Sequence, residues 1–168
     1  MTRTKTLRTG LLAGAFWGLL VFFSDSCPAA SINDYQAAND DEKAIVAVLI
    51  AYRDSINDGQ WEKVLELFTP EARISAGREG GEVSLEEYRR EHLERSRANY
   101  QKRGCFTQFD PPSLLEVTGR TALVKAGCSL ACEGKGSGEP YLHIGPVWVG
   151  LVKTDQGWRI SKFLESRR

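Results

Sequence analysis

Apolar residues at Ile45, Leu49, Tyr52 and Ile56 recur at i, i+4, i+7 and i+11, the spacing of one helical face. Asp40 and Asp41 precede this stripe as caps and as favourable charge at the positive end of the helix dipole. Asn57-Asp58-Gly59 ends it, with Gly59 placed for a left-handed residue. Trp61, Val64, Leu65 and Phe68 predict a second, short helix with Asp58 as its N-cap and Thr69-Pro70 as its stop. Ala72–Ser75 reads as a short strand, followed by a glycine-rich turn at 77–81. Ser84 and Glu87 form a capping-box signature ahead of a third helix that runs to about Gln101. Its inward face should carry Leu85, Tyr88, His92, Leu93, Ser96 and Tyr100. Its outer face should carry the Glu86/Arg90 and Glu91/Arg95 pairs, each four apart in the favourable order.

From Gly104 the period changes to that of strands. Cys105–Phe109 and Leu114–Val117 predict one long strand interrupted at Pro111-Pro112. Thr118-Gly119 is a two-residue turn signal. Ala122, Val124, Ala126, Cys128, Leu130 and Cys132 then share one face of the next strand. Tyr141–Lys153 and Trp158–Leu164 predict a closing hairpin around residues 154–157. The order is α+β: a curved, cone-like antiparallel sheet of about four to five strands, with three N-terminal-side helices on its concave face. Val147, Val149 and Leu151 make one face of the penultimate strand apolar, and Ile144, Trp148 and Val152 do the same for the other. A sheet with one covered face should alternate more cleanly. The second face is therefore expected to pair with another copy as a homodimer, or to be covered by the segment before the first helix.

The first thirty residues belong to a different class. Arg3, Lys5 and Arg8 precede an uncharged apolar run, Gly10 to Phe23, which is too short for the ~20 residues of a comfortable membrane span. Small residues follow, so 1–30 reads as a cleavable signal peptide, with cleavage after Ala29 or Ala30. The alternatives are an uncleaved anchor and a lipoprotein acylated at Cys27. Residues 31–39 read as a linker and 40–168 as one domain, secreted or periplasmic, with no stable membrane span after processing. Removing the leader leaves 19 basic and 21 acidic residues, a net charge of −2. This balance lacks the basic footprint of a nucleic-acid binder.

Export also bears on the cysteines, because an oxidising compartment permits disulfides. With Thr118-Gly119 as the turn, Val117 opposes Arg120, and the same register sets Cys105 opposite Cys132, within bridging reach. Cys128 and Cys132 lie on one strand roughly 13 Å apart at ~3.3 Å per residue, so they should not pair. Cys128 is expected to be a buried thiol.

The stretch Ala47–Ile74, with Tyr52, Asp58-Gly59, Trp61, Leu67-Phe68 and Ala72, resembles the opening of nuclear-transport-factor-2-like and SnoaL-like domains. Gly157-Trp158-Arg159-Ile160 is similar to their ending. The resemblance implies the cone fold over roughly residues 41–165. It leaves function open among isomerases, cyclases, dehydratases, epoxide hydrolases and binding modules. For ketosteroid isomerisation, the best-understood chemistry of the family, it implies that Tyr52 matches the oxyanion-donating tyrosine. The general base and the second donor fall near Ala76 and Gly150, which cannot move a proton.

The candidate cavity lining is Tyr52, Tyr88, His92, Tyr141, His143 and Trp148, with Tyr52, His92 and His143 as candidate proton carriers. Tyr52 could equally fill the core, and each histidine could be a hydrogen-bonded structural residue. The two histidines lack metal-ligand spacing and a matching carboxylate, so neither a metal nor another cofactor is expected. The first functional reading is an exported domain that binds a small apolar molecule or serves as a dimeric interaction module. The alternative is a lyase, isomerase or hydrolase acting on a small apolar substrate in a Tyr/His-lined cavity.

Overall fold

The computed structural model describes residues 30–76, 81–134 and 139–165. The expected signal peptide, with Cys27 in it, lies outside them apart from Ala30. Ile32 of the expected linker is fully buried in a short 3₁₀ turn, Ile32–Asp34, so the core begins before the first helix.

Helix α1 spans Asp40–Asn57. Its cap is Asn39, whose side chain accepts from the Glu42 N–H at 2.9 Å, and not one of the aspartates expected there. Asp41 instead accepts from Lys153 Nζ at 2.6 Å and Trp158 Nε1 at 2.9 Å. These bonds hold its carboxyl below the usual range and tie α1 to the last hairpin. Asp58 closes α1 and does not cap the next helix: α2, Trp61–Glu66, follows Gln60 without a side-chain cap. The third helical segment is composite. Ser84 caps α3 (Leu85–Glu87), a π-helical turn occupies Tyr88–His92, and α4 (Leu93–Arg103) ends at Gly104 with φ 59°.

The sheet is curved, unclosed and mixed, and its seven strands among the described residues exceed the expected four to five. They are β1 Phe68–Ala76, β2 Gly81–Ser84, β3 Cys105–Phe109, β4 Leu114–Thr118, β5 Thr121–Cys132, β6 Tyr141–Thr154 and β7 Gly157–Glu165. The order is β2-β1-β7-β6-β5-β3, with β4 also paired to β5. Strand β1 is longer than its sequence signal and takes in Phe68. It runs parallel to β7, and β2 folds back on it.

The Pro111-Pro112 break yields two strands, because four residues, 110–113, face only Ala126 and Gly127 of β5. A Cβ on Gly127 would meet the carboxylate of the exposed Asp110, which would have to swing away to make room. The β4–β5 turn falls at Gly119-Arg120, one residue later than expected, since Thr118 pairs with Thr121. The detour absorbs the resulting two-residue offset, and β3 meets β5 with Cys105 opposite Cys132. These two cysteines are bridged, and Cys128 is free.

Ile45 and Leu49 of α1 pack with Val124, Val147, Val149, Leu151 and Ile160 of the concave face, all at most 1 % exposed. Among the described residues no helix is long and apolar enough to cross a membrane.

Candidate functional site

Beyond this packed core the helices and the sheet diverge around a cavity of about 930 Å³. Tyr52, Tyr88, His92, Tyr141 and His143 all border it. Trp148 does not. The alternation that buries Val147 and Val149 turns Trp148 to the outer face, where Lys125 Nζ sits 5.0 Å from its ring centroid.

The floor is aromatic. The Tyr52 ring stacks on Phe163 at 4.7 Å and on Phe109 at 6.0 Å, and meets Phe68 edge-on at 6.1 Å. Burial, reinforced by Tyr88 and Glu165, raises the Tyr52 hydroxyl pKa well above its ordinary value, so it stays a neutral donor. Tyr88 and His92 stack at 6.1 Å on the helical wall. Further along, Tyr100 OH donates to Asn57 Oδ1 at 2.7 Å and lies 3.0 Å from Thr107 Oγ1. Asn57 also exchanges two 2.8 Å bonds with the Thr107 backbone. This network fixes the end of α1, β3 and α4 to one another.

Three charged residues on the lining escaped the sequence reading. Glu165 borders the cavity because a bulge at Ser161 shifts the register of β7 between Ile160 and Lys162. Unbroken alternation from Trp158 and Ile160 would have turned Lys162 and Leu164 inward. The bulge turns Phe163 and Glu165 inward instead. Arg95 and Arg103 border it as well. Beyond the π turn, Arg95, Asn99 and Arg103 follow His92 at i+3, i+7 and i+11, which is one face of the helix. The expected Glu91/Arg95 pair is absent, and Glu91 binds its neighbour Arg90 at 2.8 Å. Arg103 lies seven residues after Ser96, in phase with the expected inward stripe, and that spacing was the signal for it.

Cys128 lies in the wall near Glu165. Burial first, then Glu165 and Asp110, push its thiol up to about 12. Such a thiol is a poor nucleophile. The fold accepts it only in the neutral form, so its contribution is complete below pH 9. That contribution is lost between about 9 and about 12, where the unfolded chain ionises and the folded chain does not. Urea midpoints across this range should therefore fall more steeply with pH for the wild type than for Cys128→Ala. Parallel profiles would refute this assignment. Among the described residues no group of three or more His, Cys, Asp or Glu could hold a metal ion.

A helix-lined cavity on the concave side of a curved sheet defines the class as a nuclear-transport-factor-2-like cone. Solved structures agree on the fold. A nuclear transport factor 2-like superfamily protein from Salmonella enterica matches with TM-score 0.62 at 19 % identity, covering 74 % of this chain and 88 % of that one. An NTF2-like protein with a cystatin-like fold from Novosphingobium aromaticivorans matches with TM-score 0.61 at 16 % identity, covering 74 % and 80 %. A candidate ketosteroid isomerase from Shewanella frigidimarina matches with TM-score 0.60 at 19 % identity, covering 73 % and 94 %. No curated protein matches in sequence. Residues 37–163 match the model of the SnoaL-like domain, and the chain belongs to that family.

Proposed function

We propose that this is an exported domain that binds a small, largely apolar molecule in its cone cavity. The observation that carries the reading is the cavity of about 930 Å³, with an aromatic floor and a polar helical wall. That volume is within the range of small-molecule sites. The Cys105–Cys132 bridge fits an oxidising compartment, in keeping with the leader-like first thirty residues.

A homodimer through the outer face of the sheet is part of the same reading. Phe106, Leu142 and Ile144 stand on that face 54 %, 63 % and 69 % exposed, and a contiguous apolar patch of this kind marks an interaction surface. Native mass spectrometry of the protein exported by its native host tests all three parts. The expected result is a dimer of chains that begin between Cys27 and Ile32, carrying a bound small molecule. A monomer, a chain beginning at Met1, or a ligand-free protein would each remove the corresponding part.

Catalysis is a second reading, favoured by Glu165, which places a carboxylate in the cavity shared with Tyr52 and both histidines. Glu165 and Tyr52 would then act as base and oxyanion donor on the bound molecule. Once the ligand is known, conversion by the wild type that Glu165→Gln abolishes supports this reading, and an unchanged ligand rejects it.

A further inference from the structure

The charges in the cavity are segregated, and their separation can be measured along two elements. Glu165 pairs with Val147 of β6, while Tyr141 lies six residues earlier on the same strand. At ~3.3 Å per residue the two ends are roughly 20 Å apart. The Arg103 guanidinium sits at the Tyr141 end, 5.3 Å from that ring centroid. The helical wall gives a similar length: Tyr88, which borders the Tyr52 end, and Arg103 are fifteen residues apart, or roughly 22 Å at 1.5 Å per residue. Arg95 lies about midway. The cavity is therefore elongated, with Tyr52, Phe163 and Glu165 at one end and Arg103 at the other.

The helical stripe facing it is polar: His92, Arg95, Ser96, Asn99 and Arg103 all border the cavity. Neither Arg95 nor Arg103 has a carboxylate partner among the described residues, although Arg89, Arg90 and Arg97 on the same helical segment each do. The cations aimed at the cavity are the ones without internal anions. A guanidinium presents a planar fork of donors that matches a carboxylate.

Resting on the small-molecule reading above, we propose that the ligand is an amphiphilic anion. Its apolar body lies on the Tyr52–Phe109–Phe163 floor, and its carboxylate lies on the helical wall between Arg95 and Arg103, away from Glu165. A neutral molecule of the same length would leave both guanidinium groups unpaired, and an amphiphilic cation would meet them with like charge.

Titration calorimetry at pH 7 with decanoate and 1-decanol on the mature protein tests this. Decanoate should bind about tenfold or more tightly than 1-decanol, with a preference that shrinks as salt rises. Arg95→Gln/Arg103→Gln should abolish the preference, bringing decanoate to the affinity of 1-decanol. Arg95→Gln alone, on an exposed residue, should reduce the preference and serves if the double variant misfolds. Equal binding of the two probes, or a preference that survives in the variants, overturns the inference and leaves the small-molecule reading standing. Binding of neither probe by the wild type removes both.

Discussion

Replacing Phe163 with alanine should lower the stability of the domain by about 3–5 kcal/mol, the range for deleting a buried aromatic ring. Phe163 is 3 % exposed and sits where the core becomes the cavity floor, stacked on Tyr52 and edge-on to Phe68. Its neighbours are held by strand pairing and by the α1 backbone, so they cannot collapse into the space. A loss of this size is a large part of the ~5–15 kcal/mol available to a domain. Phe163→Leu, which keeps most of the volume, should cost under about 1.5 kcal/mol. Urea denaturation of both variants checks the pair. A cost below about 1 kcal/mol for the alanine variant would mean that the ring is not part of a close-packed floor. The same substitution removes the closest aromatic partner of Tyr52, so ligand affinity should fall further than in Phe163→Leu.

Opening the Cys105–Cys132 bridge should cost nearly as much. The cysteines are 27 residues apart, and the entropy of closing a loop that long corresponds to ~3.5 kcal/mol. For a domain of this size that is on the order of 10–15 °C in Tm. Cys105→Ser and Cys132→Ser should lower Tm by similar amounts, and the double variant should be no worse than either, because all three lack the same crosslink. Removing Cys128 should have a separate, smaller effect from packing alone. The bridge also joins β3 to the far end of β5 beside the Arg103 end of the cavity, so its loss should weaken ligand binding at temperatures well below Tm. Single variants that melt with the wild type would show that the crosslink does not limit the unfolded chain.

The sequence by itself determined the helices, the inward face of β5 and the family. Ile45, Leu49 and Ile56 are buried because their spacing leaves one side of α1 apolar. Ala122, Val124 and Ala126 are buried because alternation along β5 gives a single inward set. Gly59 and Gly104 end helices with positive φ because no Cβ opposes that conformation. Tyr52, His92 and His143 could be placed at one cavity because each lies in phase with an inward stripe.

Only the tertiary structure decided where that phase breaks. The bulge at Ser161 turned Glu165 into the cavity, and the 110–113 detour reset the register that joins Cys105 to Cys132. The cysteine pairing expected from sequence was reached through a turn placed one residue early and a detour not counted, two offsets that cancel. Trp148 had the composition of a lining residue and the parity of an outer one, and parity prevailed. The parallel pairing of β1 with β7 joins segments about ninety residues apart, and no local signal carries it. Periodicity reports which side of an element is apolar. A one-residue insertion changes every side that follows it, and the free energy that places the insertion comes from contacts made only in the assembled fold.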